Sequence, residues 1–278
     1  MLKTFFYITA LLYLASTFAY IAYLVSRRDV FLFAGKYVVI AGFVAHTLAI
    51  LMRWVEGGRF PATNLHEAMS FFAWLSTAIF MVFLYRYRMA VLGLFVAPFA
   101  FLLVVTASFL PGELAPLSPA LESWWLPVHV TLAILGNAFF ALASAFGAMY
   151  LIQERHLKSR KFGGMYFILP SLDVLDELNY RCLTYGFPLL TLGIITGAIW
   201  SEYTFGTYWM WKHRQVWSLI TWLLYAALLH GRLTTDWRGK KSAKYSVIAF
   251  CVLLASSLII YVLLGEGHGL LKLGGANP

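Results

Sequence analysis

Residues 89–110 read MAVLGLFVAPFAFLLVVTASFL, an apolar run that contains no charged side chain. A helix rises about 1.5 Å per residue, so about 20 such residues cross the roughly 30 Å hydrocarbon core of a bilayer. Comparable runs recur along the chain and predict an all-α, polytopic membrane protein, a bundle of about eight transmembrane helices forming a single domain, residues 1–278. The eight predicted spans are residues 4–25, 31–52, 68–85, 89–110, 127–152, 183–201, 216–230 and 245–264.

The composition agrees with lipid as the main solvent. Of the 278 residues, 61% are hydrophobic and 12% are charged, and the mean hydropathy is +0.76. A net charge of +9 resides in short Lys and Arg clusters between apolar runs, which is typical of membrane orientation signals and not of nucleic-acid binding. Cys182 and Cys251 lack CxxC spacing, so neither a disulfide framework nor a thiol-redox site is indicated. The first run is longer than a usual signal-peptide core, so we expect a helix there.

Cation-rich loops alternate with cation-poor loops. Cytoplasmic loops retain Lys and Arg, and the loops after the first, third, fifth and seventh runs carry most of these residues. Residues 111–126 contain no cation but include Glu113 and Glu122. We therefore predict that both termini, and the loop after the sixth run, lie on the non-cytoplasmic side.

That outer loop, about residues 200–217, is rich in tryptophan. Together with Trp222 just beyond it, the segment holds five of the ten tryptophans: Trp200, Trp209, Trp211, Trp217 and Trp222. An interfacial aromatic belt is the ordinary explanation. A belt, however, distributes its tryptophans over all helix ends, whereas these are concentrated in one loop. The sequence thus also favours a local aromatic shelf that suits a flat, apolar ligand.

Histidines are predicted on the same face as this loop. Imidazole is a good axial ligand for haem iron, although a single histidine at a helix end is more often solvated or capping. Outer cations are either solvated or available for haem propionates through charge-assisted hydrogen bonds. The predicted outer histidines are His66, His129, His213 and His268, and the outer cations are Arg53, Arg59, Lys212 and Arg214.

Two more histidines lie within predicted helices. His46 and His230 differ in depth by roughly 20 Å, too far apart to share one iron. We expect His46 to be hydrogen-bonded inside the bundle. For His230, a ligand role and a comfortable position at a helix C-terminus both remain open.

Two shorter patterns concern packing. Leucines at threefold spacing in residues 169–178 predict a short amphipathic helix on the inner membrane surface, either a connector or a docking site. Gly193 and Gly197 form a GxxxG pair, which predicts close helix packing.

Together these residues resemble the CcsA/ResC/CcmC family of haem-handling membrane proteins, whose outer loop carries a WGxxWxWD (WWD) motif. The resemblance covers most of the chain. It is carried by residues 58–67, 126–130, 169–173, 179–181, 193–200, 217–225, 229–230 and 267–269.

The resemblance implies cytochrome c biogenesis in a bacterial inner (cytoplasmic) membrane. His129 and His268 are the implied axial ligands of a non-covalent, b-type haem, which Trp200, Trp209, Trp211 and Trp217 surround. His230 is implied in a second haem whose other ligand comes from a ResB/CcsB-like partner. The chain is then the haem-presenting subunit of a cytochrome c synthase, or haem lyase, that offers haem to apocytochrome c.

The loop departs from the family pattern at several positions. Phe205 replaces the first tryptophan of the motif and Lys212 replaces its aspartate, with residues 213–215 where the family usually has Pro-Lys-Glu. An Asp-to-Lys change inverts the charge and cannot make the same hydrogen bonds. A HemX-like membrane regulator or scaffold of haem biosynthesis therefore stays open as the alternative function.

Overall fold

The computed structural model describes residues 2–112, 122–160 and 164–263, and its regular elements there are helices. Seven helical segments are long and apolar enough to cross a membrane, and α9, 24 residues long, coincides with the eighth predicted run. The all-α, multi-pass prediction is confirmed, while the orientation stays a prediction. The helices are α1 Leu2–Ser26, α2 Asp29–Gly57, α3 Leu65–Arg86, α4 Gly93–Ser108 preceded by a 3₁₀ turn at Ala90–Leu92, α5 Trp125–Lys158, α6 Gly164–Ile168, α7 Leu172–Phe205, α8 His213–Thr234 and α9 Lys240–Leu263.

The two longest helices, α5 and α7, pack side by side. Small residues allow this close approach: a Cβ on Gly136 would lie 2.8 Å from the Leu190 backbone nitrogen, and one on Gly193 would lie 2.9 Å from the Ala133 nitrogen. Helices in lipid associate through such close packing because lipid provides little hydrophobic driving force between them. The position of α7 along α5 is therefore fixed by backbone contacts.

The predicted amphipathic surface helix is wrong. Helix α7 begins at Leu172, capped by Ser171, and continues without a break to Phe205. Leu175 and Leu178 are buried in the bundle. An apolar stripe reports one buried face of a helix, but it does not tell whether lipid or another helix covers that face.

An ion pair holds this end of α7 to α8. Arg232 donates to both carboxylate oxygens of Asp176, at 2.6 and 2.8 Å, and its guanidinium lies 4.5 Å from the Tyr180 ring centroid. The side chains of Arg232 and Asp176 are 7% and 18% exposed. This bidentate pair is thus a structural clamp at the predicted cytoplasmic end.

Candidate functional site

His129 lies in the second turn of α5, with its ring directed at α7. Its Nδ1 lies 2.7 Å from the carbonyl oxygen of Gly193. A carbonyl only accepts hydrogen bonds, so Nδ1 carries a proton, and in the neutral imidazole Nε2 then keeps a lone pair. Histidines that bind metals are commonly oriented by such a hydrogen bond from the other ring nitrogen. His129 therefore has the tautomer of a metal ligand.

The GxxxG pair creates the space for this imidazole. A Cβ on Gly197 would lie 2.6 Å from Cε1 and Nδ1 of His129, closer than atoms can pack. Gly193, one turn earlier, supplies the accepting carbonyl. The prediction of close helix packing is confirmed but was incomplete, because the same two glycines also position His129.

Trp200 continues the site along α7. Its indole is nearly parallel to the His129 ring, with centroids 6.3 Å apart and an interplanar angle of 9°. Phe205 meets Trp200 edge to face at 5.8 Å. Trp200 is on the helix and not in the loop, since α7 continues to Phe205 and is capped by Gly206, whose φ is +68°.

The loop proper spans residues 206–212 and is fixed at both ends. Ser201 Oγ donates to the Thr207 carbonyl at 2.7 Å. On the other side, Gln215 Oε1 accepts from the backbone nitrogens of Met210 and Lys212, at 2.9 and 3.4 Å. The loop is shorter than the predicted 200–217 because polar residues on both sides of it continue the helices.

Trp209 and Trp211 meet edge to face within this loop, with centroids 5.9 Å apart. Trp211 is 72% exposed, and its φ of +55° is unusual for a side chain of this size. The Trp209 indole nitrogen is buried and has no acceptor among the described residues. The loop therefore presents an exposed aromatic surface with one unsatisfied donor below it.

Two of the positions at which the loop departs from the motif that the resemblance predicts contact each other. The Lys212 ammonium lies 5.3 Å from the centroid of the Phe205 ring, within the range of a cation–π interaction. Phe205 and Lys212 thus form a pair that holds the loop against the end of α7.

Among the described residues, no contact links the remaining predicted site residues to His129. Trp217 lies half-buried in α8, and His213 is exposed at its start. His230 is exposed on the same helix, near its other end. His268 lies outside the described residues, so its pairing with His129 stays a prediction.

His46 is fully buried and hydrogen-bonded through both ring nitrogens. Nδ1 lies 3.2 Å from the Tyr13 hydroxyl, and Nε2 lies 2.9 Å from Ser70 Oγ. The expectation of a structural histidine inside the bundle is confirmed.

The sequence did not reveal a second polar site at the same end of the bundle. His66 Nδ1 lies 2.7 Å from the Ala107 carbonyl, and Arg53 pairs with Glu67 at 2.7 Å. These residues line a cavity of about 330 Å³. Arg53 is only 7% exposed, so its interpretation as a solvated cation is wrong. The sequence feature that could have revealed this site is the pair of opposite charges, Arg53 and Glu67, at the two ends of the short loop between two apolar runs.

The fold and the site define a class of protein, a multi-pass helical membrane protein with an imidazole and an aromatic loop at one end of its bundle. Residues 62–266 match the family model described as cytochrome C assembly protein. The chain is 36% identical over 252 residues to the cytochrome c biogenesis protein CcsA of Guillardia theta, covering 83% of this chain and 82% of that protein. It is 37% identical to CcsA of Chlamydomonas reinhardtii over 79% of this chain, and 35% identical to CcsA of Microcystis aeruginosa over 77%. The chain belongs to the cytochrome c assembly family.

A solved structure shares the fold. The chain described as cytochrome c haem lyase CcmF superposes with a TM-score of 0.69 over 92% of this chain, at 16% identity. The match covers 46% of that chain, and this chain likewise spans 63% of the Chlamydomonas CcsA. The likeness to CcmF establishes the helical architecture, on which the site described above is built.

Proposed function

We propose that this member of the cytochrome c assembly family acts in cytochrome c biogenesis by binding haem at its non-cytoplasmic face and presenting it to apocytochrome c. The observation that carries the proposal is the His129 imidazole. Its Nδ1–H is held by the Gly193 carbonyl, its ring lies parallel to Trp200, and Nε2 is left with a lone pair for iron. The CcsA name of the curated relatives supports the same process.

The ligand that we propose for this face is a porphyrin. A flat apolar ring needs aromatic walls, which Trp200, Trp209, Trp211 and Trp217 would supply. His268 is the proposed second axial ligand, and the haem is held without a covalent bond, as in b-type proteins. Lys212 and Arg214 are the proposed partners of the propionates.

The contribution of this chain to the reaction is positioning. When bound, haem would supply the vinyl carbons to which the cysteine thiols of a CxxCH motif add. In such reactions the reactive atoms belong to the cofactor, and the protein binds and orients it. The chain's own residues bind the iron from one or both sides and fix the plane of the ring at the outer face. Holding the two reactants in a defined geometry lowers the entropic cost of the addition. On this basis the chain is the haem-presenting subunit of a cytochrome c synthase.

We propose a ResB/CcsB-like membrane protein as partner, in a bacterial inner membrane. His230 is exposed on α8, so a ligand from another chain can reach it. Co-expression with such a partner should add a haem signal that His230→Ala removes. Appearance of that signal in the isolated chain would contradict the partner assignment.

The absorbance spectrum of the detergent-purified protein, oxidised and reduced, tests the proposal. We expect a low-spin, bis-histidine haem spectrum. His129→Ala and His268→Ala should each lower haem occupancy or make the iron high-spin, and added imidazole should partly restore the spectrum. Wild-type protein without haem from a haem-replete host would contradict haem presentation and favour the HemX-like regulatory function.

A further inference from the structure

A cavity of about 330 Å³ lies between the ends of α1, α2, α3 and α4, at the same end of the bundle as His129. Its apolar wall includes Phe6, Ala49 and Ile50, and its polar wall includes Lys3, Arg53 and His66. None of the residues that line it belongs to the His129 site or the tryptophan loop. The cavity has the size of a small-molecule pocket and is chemically separate from that site.

Both oxygens of the Glu67 carboxylate in the cavity wall accept hydrogen bonds from protein donors. Its Oε1 accepts from Arg53 Nε at 2.7 Å. Its Oε2 accepts from the backbone nitrogen and hydroxyl of Thr63, at 2.8 and 2.9 Å. Glu67 therefore has three protein donors and holds the α2–α3 loop in place.

Arg53, by contrast, is incompletely satisfied. Its Nη2 is buried and has no acceptor among the described residues, although the residue is only 7% exposed. A guanidinium has five N–H donors, and a buried charged donor without an acceptor is costly. Arg53 lines the cavity, so a small rotation of its guanidinium would bring Nη2 to a ligand oxygen there and complete its hydrogen bonds.

The other groups define the charge of that ligand. Arg53 and Glu67 balance each other, which leaves Lys3 as the net positive charge among the lining residues that the structure describes. His66 donates Nδ1–H to the Ala107 carbonyl, so in the neutral ring Nε2 is the unprotonated nitrogen. Phe6 lies 5.0 Å from the His66 ring. One negative charge on an apolar body matches these walls.

We propose that this cavity is a second binding site, which takes a monoanionic oxyanion carried on an apolar molecule. The oxyanion accepts a hydrogen bond from Arg53 Nη2, and the apolar body lies against Phe6 and Ile50. Two sources share this chemistry, a porphyrin carboxylate and the phosphodiester of an acidic lipid. Only the porphyrin source connects to the proposed function, and neither needs iron at His129.

The full-length protein in detergent can be titrated with metal-free protoporphyrin IX and with its dimethyl ester, which lacks the carboxylates. Native mass spectrometry of the same samples compares retention of phosphatidylglycerol and phosphatidylcholine. The test variant is R53Q/E67Q, which removes both charges and leaves no unpaired buried ion. The matched control is R232Q/D176N, which removes another largely buried pair at the opposite end.

We expect the wild type and the control to bind the free acid roughly tenfold more tightly than the ester, and R53Q/E67Q to lose this preference. His129→Ala should retain it, because the probe contains no iron. Arg53-dependent retention of phosphatidylglycerol, without a porphyrin preference, would support the site with lipid as the source. If R53Q/E67Q and wild type behave alike towards both ligand pairs, the proposal is overturned, whatever the haem spectrum shows.

Discussion

The His129 region and the His66 region use the same imidazole geometry in different surroundings. In each, Nδ1 lies 2.7 Å from a backbone carbonyl of another helix, Gly193 or Ala107, and Nε2 keeps its lone pair. His129 has Trp200 beside it and the aromatic loop at the end of the same helix. His66 faces a cavity with a buried Arg–Glu pair. Orientation of the imidazole is therefore not enough to define a site, and the neighbouring residues determine which ligand it suits.

The largest test concerns the face on which both regions lie. Reporter domains fused after Gly58 and after Gly206 should report the same side, and one fused after Arg160 should report the other, because Lys and Arg remain in cytoplasmic loops. Activity of a periplasmic and of a cytoplasmic reporter measures this. Opposite sides for the first two fusions would separate the two regions and remove the basis for comparing them.

Gly197→Ala should remove most of the bound haem. The added Cβ would lie 2.6 Å from the His129 ring, which must move away from its hydrogen bond to Gly193. Haem occupancy and spin state of the purified variant measure the effect.

Gly112→Ala is the matched change in the other region. Its Cβ would lie 3.5 Å from the His66 ring, an ordinary van der Waals distance, so we expect haem occupancy to be unchanged. Equal effects of the two substitutions would mean that the steric space beside His129 has no special role.

Arg53→Gln should destabilise the protein more than R53Q/E67Q does. The single change leaves the Glu67 carboxylate buried without its cation, and breaking a buried pair in this way costs about 3–5 kcal/mol, whereas removing both charges costs less. Thermal unfolding in detergent, followed by helical circular dichroism, measures the order. A single variant as stable as the double variant would show that water or lipid headgroups already solvate Glu67.

These two regions also differ in how far the sequence predicted them. The apolar runs located most of the helices to within a few residues. The exception is α7, which begins at Leu172 and includes most of the segment 169–178 that was predicted as a separate surface helix. His129 and the tryptophans were predicted as site residues from residue type and from the family resemblance. The hydrogen bond of His129 to Gly193 was not predicted, because a backbone acceptor leaves no trace in side-chain identity.

The His66 cavity depends on contacts between four helices, and no local spacing reports such contacts. Arg53 directly follows one predicted apolar run and Glu67 directly precedes the next, and a charge beside an apolar run is usually solvated. Only the packing of α2 against α3 turns these two charges into a buried pair. A sequence motif therefore indicates candidate residues by itself, whereas a site formed where several helix ends meet is recognised only from the packing of those helices.

Lys212→Ala should weaken haem binding by about two- to fivefold and leave the iron low-spin. Lys212 is exposed, and exposed charge interactions are weak. The substitution removes a candidate propionate partner and the cation–π contact with Phe205, but no proposed iron ligand. Haem transfer to apomyoglobin measures the affinity, with Lys212→Arg as the control that keeps the charge. Tighter haem binding by Lys212→Ala would mean that the lysine opposes the ligand.

His66→Ala should leave the haem spectrum and the haem occupancy unchanged, the smallest effect of the series. A buried ion pair lies beside the His66 imidazole. We therefore expect a porphyrin in this cavity to be held through its carboxylate and not through iron. His213→Ala, at the exposed start of α8, should also leave the haem spectrum and the haem occupancy unchanged, and it serves as the second control. Spectra of both variants beside His129→Ala measure the contrast. Loss of the low-spin spectrum in His66→Ala, with His129→Ala intact, would exchange the roles of the two regions, since the iron would then bind where the charges lie and the tryptophan loop would be left without a ligand.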